Sequence, residues 1–303
     1  MNFHFLPRDL PARRVVACLG LIADTHLPAR CDELPAAVFD VLRGADLVLH
    51  AGDMGDLAVM DRLGDIALVA AVHGNDESDE AQRVLPYQHL LALAGRRLLL
   101  CHSHLPDAAA ERASRVGDAW GPKLAQRAEQ ARHVGASIMV LGHLHIPFVV
   151  EYQGVWLINP GAIASPNSLS RQVHQTVALL YLRDDGRPFV VHIDLARPDQ
   201  PHTPAVDWTA GFAAALGRYS ASILSPELAH LAAAIGGYRL RHDSRLWSAV
   251  SRAARPCWRG QKATLTAADL IASVTEDAAF SARERDELLA LVEGVARAGS
   301  GRA

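Results

Sequence analysis

Short apolar runs alternate with helix-length segments along the first two thirds of the chain. Five of these runs have the length and the Val, Ile and Leu content of strands that are buried on both faces. They are VVACLGLIA (15–23), DLVLH (46–50), IALVAAVH (66–73), RLLLC (97–101) and IMVLG (138–142). Helical stretches lie between them, so the pattern predicts an α/β fold in which helices cover the sheets.

Two hairpins are predicted after the fifth run. FVVEYQGVWLIN (148–159) turns near Gly154, and the strands at 175–182 and 189–194 are joined around Asp184, Asp185 and Gly186. Turns of Gly and Asp between apolar runs are typical of antiparallel strand pairs. Because the earlier strands have helical connections, which suit parallel pairing, the sequence predicts mixed sheets with helices outside.

The pattern changes from Ala196 onward, where strand-like runs stop and helix signals follow. Three helix starts are marked by capping residues, which accept hydrogen bonds from the first backbone N–H groups. These are Ser225 with Pro226, Thr266 with Asp269, and Ser281 with Glu284. We therefore expect an N-terminal extension at 1–14, an α/β domain at 15–195, a linker with three prolines at 196–204, and a mainly helical C-terminal region of unknown role at 205–303.

Composition argues against several classes of protein. The chain has 303 residues, of which 50% are hydrophobic, and its formal net charge of −3 excludes a globally basic nucleic-acid binder. Its four cysteines form no CxxC pair, so we expect reduced thiols and a cytoplasmic location. No apolar run reaches the about 18 residues of a membrane span. Charges and prolines interrupt the first 14 residues, so we expect neither secretion nor membrane insertion.

Residue types typical of metal ligands follow each of the five predicted strands. Loops at the carboxyl ends of strands in open α/β sheets converge, so clusters in corresponding positions can meet in one place. The clusters are Asp24-Thr25-His26, Gly52-Asp53, Gly74-Asn75-Asp76, His102-Ser103-His104 and Gly142-His143-Leu144-His145. A single histidine or aspartate after a strand is usually a turn or cap residue, but the repetition at five strand ends predicts a metal site.

The donor atoms of these clusters suit two divalent cations. Such ions lie about 3.5–4 Å apart and need a carboxylate that contacts both, for which Asp53 is the natural candidate. Imidazole and oxygen donors without a thiolate favour Mn²⁺ or Fe²⁺, with Zn²⁺ and Ni²⁺ as alternatives, over magnesium alone. The sequence therefore predicts a dinuclear centre with Asp53 as the bridge.

The order of the clusters resembles the calcineurin-like metallophosphoesterase superfamily. Two segments, HAGD (50–53) and INPGA (158–162), are similar to its small bacterial and archaeal phosphodiesterase branch. The resemblance covers about residues 15–194 and implies a four-layer α-β-β-α sandwich of two mixed sheets as the catalytic domain. It also implies two ligand sets that share one residue: Asp24, His26, Asp53 and His145 for one ion, and Asp53, Asn75, His102 and His143 for the other.

The resemblance implies hydrolysis of a phosphate ester, and we expect a phosphodiesterase that acts on small or nucleotide-like esters. A hydroxide that bridges two cations is a nucleophile at neutral pH and can attack phosphorus in line with the leaving oxygen. His104 is the candidate to donate a proton or a hydrogen bond to the phosphate or the leaving group. The alternative is that His104 only supports a metal ligand.

Three positions depart from the family pattern. Asp76 stands where the protein-phosphatase branch has a general-acid histidine, which argues against a protein phosphatase and suits Asp76 to orienting a histidine or a ligand. Ser103 replaces the usual glycine between the two histidines of its cluster, and Ala162 replaces the usual serine. The second change removes one hydroxyl near the site.

The segment at 238–262 is strongly basic. We expect a helix here that Pro256 ends. One of its faces carries Arg241, Arg245, Ser248, Arg252 and Arg255, and this set is called the basic stripe below. The stripe is either a solvated face that pairs with acids or a rim that attracts an anionic substrate. Nucleic acid is one such substrate, and the stripe is the feature that makes a nuclease an alternative.

A further alternative is a non-catalytic scaffold, because a relative of this branch in the eukaryotic retromer coat uses the fold for protein interaction. That relative lacks a complete set of histidine ligands, whereas every ligand position is filled here. The sequence therefore favours an enzyme with a phosphate-ester substrate and no membrane partner. Nucleic acid is the alternative partner, and a homo-oligomer stays open.

Overall fold

The structure is a computed structural model of the chain. It describes residues 4–6, 14–114, 116–231, 234 and 245–300. The chain divides into two compact units, Met1–Pro166 with Gln172–Ser220, and Asn167–Arg171 with Ala221–Ala303. The domain limits expected from the sequence, with a linker at 196–204, stay a prediction.

The first unit is built on two five-stranded sheets. One contains β1 (Val15–Ile22), β2 (Leu47–His50), β3 (Val69–Ala71), β10 (Thr176–Arg183) and β11 (Pro188–Asp194). The other contains β4 (Gln88–Leu93), β5 (Arg96–Cys101), β6 (Ile138–Leu141), β7 (Phe148–Tyr152) and β8 (Val155–Asn159). The short strands β9 (Ser170–Gln172) and β12 (Ser220–Ser222) lie where the chain passes from one unit to the other.

Both sheets are mixed, as predicted. The first has the order β11-β10-β1-β2-β3, in which β1, β2 and β3 are parallel and β10 and β11 are antiparallel. The second has the order β4-β5-β6-β8-β7, in which β5, β6 and β8 are parallel and the two edge strands are antiparallel. The five polar clusters follow the parallel strands β1, β2, β3, β5 and β6.

Helices cover the outer faces of the sheets. Those of the first unit are α1 (Ala36–Leu42), α2 (Ala58–Gly64), α3 (Asp79–Val84), α4 (Ala108–Ser114), α5 (Trp120–His133) and α6 (Phe212–Tyr219). Successive side chains of a strand point to opposite faces, which β1 illustrates. Cys18 and Ile22 pack in a core with α1 and α2, whereas Leu19 and Leu21 pack in a core shared with β5, β6 and β8.

A third core completes the layers. Trp120 and Leu124 of α5 and Tyr219 of α6 pack against the outer face of the second sheet, on side chains such as Leu99 and Met139. The first unit is therefore a helix layer, two sheets and a second helix layer. This confirms the predicted α-β-β-α sandwich, and it explains why β1 is buried on both faces and reads as an unbroken apolar run.

Most strand predictions agree with the structure, and two differences have local causes. The run at 66–73 yields only the three residues of β3, because the N–H groups of Ile66 and Ala67 still donate to the carbonyl of Leu63 at the end of α2. β4 has no counterpart among the predicted strands. It lies at the edge of its sheet with most of its residues exposed, so its sequence lacks a buried apolar pattern.

The second unit is mainly helical, as predicted for the C-terminal region. It contains a 3₁₀-helix (Pro226–Leu228), α7 (Arg245–Trp258), α8 (Ala267–Glu276) and α9 (Ala282–Ser300). Apolar side chains of these helices, among them Leu246, Leu270 and Leu288, form one core. The capping box at Thr266 is confirmed, since its hydroxyl accepts from the N–H of Asp269 and its own N–H donates to that carboxylate.

The prediction that Pro256 ends the basic helix is wrong, because α7 continues to Trp258. A proline in a last turn removes one backbone hydrogen bond but leaves the helical dihedral angles available to the next residues. The helix expected from Ser225 opens as the 3₁₀-helix. Most of the positions that would continue it, 232–233 and 235–244 with Arg241 among them, lie outside the described residues.

Candidate metal centre

The polar clusters that follow β1, β2, β5 and β6 meet in one buried site. Asp24, His26, Asp53, His102 and His145 each expose 3% or less of their surface. The loops have tight local geometry, with positive φ at Asp24, His26, Asp53, Ser103, His143 and His145. Side chains other than glycine rarely adopt this conformation, and it concentrates at functional sites.

The first predicted ligand set is brought together around Asp24. Asp24, His26 and His145 each offer a ligand atom, and these atoms lie within 4.8 Å of one another. Nε2 of His145 is 3.2 Å from Oδ1 of Asp24, and the rings of His26 and His145 are stacked with their centroids 5.6 Å apart. These three side chains can therefore contribute to one cation site.

Asp53 lies between histidines of the two predicted sets. Its Oδ2 is 3.2 Å from Nε2 of His102 and 3.5 Å from Nε2 of His26. Asp53 and His102 also form a possible cation group with Asp24. Nδ1 of His143 lies 3.2 Å from Nε2 of His102, which places His143 on the same side as the second predicted set.

Backbone carbonyls orient two of the imidazoles. Nδ1–H of His102 donates to the carbonyl of Ala51 at 2.8 Å, and Nδ1–H of His145 donates to that of Ala164 at 3.0 Å. A neutral imidazole that donates from Nδ1 keeps its lone pair on Nε2. Nε2 of each ring therefore faces the carboxylates and is available as a ligand atom once it carries no proton, which is how metal-binding histidines are usually held.

The charged groups of the site change one another's pKa. Burial opposes ionisation of Asp24 and Asp53, but His145 lowers the pKa of the first and His102 that of the second. Burial also opposes a charged His102, yet Asp53 and Asp24 raise its pKa to about 9. Two buried carboxylates are thus kept ionised among imidazoles. This donor set of oxygen and nitrogen atoms fits divalent transition-metal ions.

Two glycines let the loops of the site approach each other. A Cβ on Gly74 would lie 2.0 Å from Oδ1 of Asp53, and a Cβ on Gly142 would lie 2.4 Å from the carbonyl oxygen of Ala51. No side chain is accommodated at such distances. The glycines of two polar clusters are therefore explained by close packing around the ligands.

Asn159 supports the loop that carries His143 and His145. Its Nδ2 donates to the carbonyl of Gly142 at 3.0 Å, and its Oδ1 accepts from the N–H of Gly161 at 2.8 Å. Asn159 is fully buried, so both bonds are made away from water. The INPGA segment therefore has a structural role beside the site, since it fixes the start of the histidine loop.

The loop after β3 places its residues at the margin of the site. Asn75, a predicted ligand, is exposed. The N–H of Asp76 donates to Oδ1 of Asp53 at 2.8 Å, while its carboxylate pairs with Arg30 and lies 3.9 Å from Nδ1 of His26. His26, Asp53 and Asp76 form a further group that could hold a cation. The roles predicted for Asn75 and Asp76 stay predictions.

His104 lies beside the second ligand set. Its ring centroid is 5.5 Å from that of His102 and 6.5 Å from that of His143. Burial and the charges of His102 and His143 lower the pKa of His104 to about 4. A neutral imidazole at this place donates a hydrogen bond more readily than a proton.

Three residues of the site were not identified from the sequence. The carboxylate of Glu77 accepts from the N–H groups of Met54 and Gly55 at 2.7 and 2.8 Å, and it thereby ties the loop after β3 to the loop after β2. Arg30 pairs with Asp76, and Glu111 contacts His143. Only Glu77 had a sequence signal, namely its position next to the third cluster. Arg30 is separated from Asp76 by 46 positions, and Glu111 is separated from His143 by 32 positions.

The basic stripe of the second unit is partly paired with acids. Arg252 pairs with Asp277, and in the same segment Nζ of Lys262 lies 2.6 Å from Oδ1 of Asp269. Arg241 lies outside the described residues, and the side chain of Arg245 does too. For Arg252 the structure agrees with a solvated face that pairs with acids.

Comparison with known proteins places this site in a family. A family model, the calcineurin-like phosphoesterase superfamily domain, matches residues 18–185. A protein named "Probable metallophosphoesterase" from Methanocaldococcus jannaschii is 33% identical over 148 residues, which cover 49% of this chain and 69% of that protein. One of the same name from Methanothermobacter thermautotrophicus is 30% identical over 169 residues, which cover 55% and 86%.

Among solved structures, vacuolar protein sorting 29 from Cryptosporidium parvum matches 59% of this chain and 97% of its own, with 20% identity and a TM-score of 0.44. The fold, the site and the family match define a metal-dependent phosphoester hydrolase. The chain belongs to the calcineurin-like phosphoesterase superfamily, whose model spans more than half of it. The resemblance and the enzyme class inferred from the sequence are confirmed.

Proposed function

We propose that this protein is a phosphodiesterase with two metal ions, which acts on small or nucleotide-like phosphate esters. The observation that carries the proposal is the position of Asp53 Oδ2, 3.5 Å from Nε2 of His26 and 3.2 Å from Nε2 of His102. One carboxylate oxygen thus faces a histidine of each ligand set. A dinuclear centre needs a shared carboxylate in that position.

The residues present fit two cation sites that share Asp53. One site would be held by Asp24, His26, Asp53 and His145, and the other by Asp53, Asn75, His102 and His143. Manganese and iron suit this mixture of imidazoles and carboxylates, with zinc and nickel as alternatives. The buried, ionised carboxylates supply the negative charge that two cations require.

When bound, the two cations would supply an activated water nucleophile and would neutralise charge on the phosphoryl group. The chain's own contribution is to hold the ligands rigidly through the carbonyls of Ala51 and Ala164, and to hold the histidine loop through Asn159. His104 would donate a hydrogen bond to a phosphoryl oxygen or to the leaving group, consistent with its lowered pKa.

Preference for diesters over monoesters is part of the proposal. Where the protein-phosphatase branch has a general-acid histidine, this chain has Asp76, and its carboxylate is engaged with Arg30. A carboxylate that is engaged with a guanidinium does not replace the histidine that acts as general acid in that branch. The Asp76–Arg30 pair therefore supports a substrate class other than the monoesters that the protein-phosphatase branch hydrolyses.

Hydrolysis tests the proposal after the protein is stripped of metal with a chelator. Adding Mn²⁺ should restore turnover of bis(p-nitrophenyl) phosphate and of an unactivated dinucleotide diester, with slower turnover of the corresponding monoesters. His145→Asn should lose this activity, because it removes one ligand beside Asp24, while His89→Asn on the exposed edge strand β4 should keep it. Turnover that does not depend on added metal, or faster turnover of unactivated monoesters, would contradict the proposal.

The nuclease alternative depends on the basic stripe, and the pairing of Arg252 with Asp277 weakens it. If the protein were a non-catalytic scaffold, the buried carboxylates and imidazoles of the site would have no function. A cytoplasmic location agrees with the cysteines, none of which forms a disulfide within the described residues. In the same part of the chain, every helix is too short or too polar to cross a bilayer.

A further inference from the structure

Glu111 is a buried acid that contacts a predicted metal ligand. It lies on α4 with 8% of its surface exposed, and its Oε1 is 2.8 Å from Nε2 of His143. None of the five polar clusters contains Glu111, and 32 positions of sequence separate it from His143. A buried carboxylate is costly unless it has partners, so this contact needs an explanation.

The contact fixes which nitrogen of His143 carries the proton. An ionised carboxylate only accepts hydrogen bonds, so Nε2 of His143 must be the donor. In a neutral ring Nδ1 then holds the lone pair. Nδ1 is the atom that faces the centre, since it lies 3.2 Å from Nε2 of His102. His143 is therefore oriented in the opposite sense to His102 and His145, which present Nε2.

Glu111 is itself held in place by the backbone. Its Oε2 accepts from the N–H of Leu105 at 2.8 Å, just after the cluster of His102 and His104. Arg127 of α5 is buried nearby and donates to Ser103 Oγ. Glu111 also interacts electrostatically with Arg127, since it opposes the lowering of the arginine's pKa by burial. One carboxylate thus connects the loop that carries His102 with the loop that carries His143.

We propose that Glu111 is a positioning residue, which holds His143 in the tautomer whose Nδ1 binds the second metal ion. The inference rests on the proposed dinuclear function. Carboxylates that orient a ligating histidine typically change metal affinity about 10- to 100-fold when they are removed. The first ion should be unaffected, because the ligand that Glu111 contacts, His143, belongs to the second predicted set and not to the first.

Manganese binding by calorimetry tests this inference in the full chain. Glu111→Gln keeps the size of the side chain but has one carbonyl oxygen, so its amide would present N–H to His143 if the oxygen keeps the bond from Leu105. We expect about 10- to 100-fold weaker binding of the second Mn²⁺ and unchanged binding of the first. Glu129→Gln, an exposed acid on α5, is the matched control and should bind both ions normally.

Nitrogen NMR of the metal-free wild-type protein gives a second readout that does not depend on the folding of Glu111→Gln. We expect the proton of His143 on Nε2, with the resonance assigned by its loss in His143→Asn. A proton on Nδ1, or a folded Glu111→Gln that binds both ions like the wild type, would overturn the proposal. If the wild type binds only one Mn²⁺, the dinuclear function fails, but the NMR result still decides the role of Glu111.

Discussion

Gly74 is the position where one added methyl group should disable the metal centre. Its Cβ in Gly74→Ala would lie 2.0 Å from Oδ1, 2.5 Å from the backbone nitrogen and 2.7 Å from Cγ of Asp53. Carbon atoms do not approach these groups closer than 3.0 Å, so the carboxylate and the loop must separate by about 1 Å. Gly74 has an ordinary negative φ, so the methyl group adds no backbone strain of its own.

The displacement can be converted into an expected loss of metal binding. Metal–ligand distances tolerate changes of only about 0.2 Å, so a shift of about 1 Å removes Asp53 from coordination. Loss of a supporting residue costs about 10- to 100-fold in affinity, and Asp53 is itself the proposed bridge. We therefore expect at least about 100-fold weaker Mn²⁺ binding. Overpacking should also lower the unfolding free energy by about 1–3 kcal/mol.

Calorimetric titration of the metal-stripped variant with Mn²⁺ measures this effect, and urea unfolding confirms that the variant is folded. Gly121→Ala is the matched control, because a Cβ on Gly121 in the first turn of α5 has no atom within 4 Å. The control should bind Mn²⁺ like the wild type. A folded Gly74→Ala variant with wild-type affinity would refute the placement of Asp53 at the centre of the site.

Three further predictions concern other parts of the account. Asp53→Asn should abolish hydrolysis and lower the bound metal measured by mass spectrometry, and a variant that keeps both ions and full turnover would contradict the bridge. Burial lowers the pKa of His192 from 6.5 to about 4. Between these two pH values only the unfolded chain binds the proton. The unfolding free energy should therefore fall by about 3 kcal/mol as the pH drops from above 6.5 towards 4. Urea unfolding at pH 7 and 4.5 should show this loss and a smaller one in His192→Gln; equal losses in both proteins would exclude His192 as its source. Arg252→Ala should leave kcat/KM for an oligonucleotide unchanged at low salt, because Asp277 already neutralises Arg252. A decrease in kcat/KM that depends on the salt concentration would instead support the nuclease alternative.

The sequence was informative where burial imposes a pattern. β1 is apolar on both faces because it lies between two cores, and that position makes VVACLGLIA recognisable without a structure. The hairpins around Gly154 and Gly186 were predictable because both glycines have positive φ in tight turns. β4 was missed because an exposed edge strand needs no buried pattern.

Residues of the site could also be predicted only where the neighbouring sequence marks them. Asp24, His26, Asp53, His102 and His145 were predicted because each directly follows a buried strand, and the structure brings them together. Residues whose role depends on a partner far along the chain do not follow a buried strand in this way, so the sequence did not identify them. Glu111 contacts His143 across 32 positions of sequence, and nothing in its neighbouring sequence distinguishes it from a solvent-exposed helix acid.

Pro256 shows a different limit of sequence reasoning. A proline predicts a helix end because its nitrogen cannot donate, yet α7 loses one hydrogen bond and continues for two residues. Packing of the helix in the core of the second unit, where Cys257 is fully buried, favours the continuation. Tertiary contacts of this kind cannot be read from local sequence.

The central claim is that two cations share Asp53, and anomalous diffraction from crystals grown with Mn²⁺ tests it most directly. The account predicts two manganese peaks about 3.5–4 Å apart, with an Asp53 oxygen between them. One ion should have His26 and His145 as ligands, and the other should have His102 and His143. A single peak, or two peaks with Asp53 bound to only one of them, would contradict the claim.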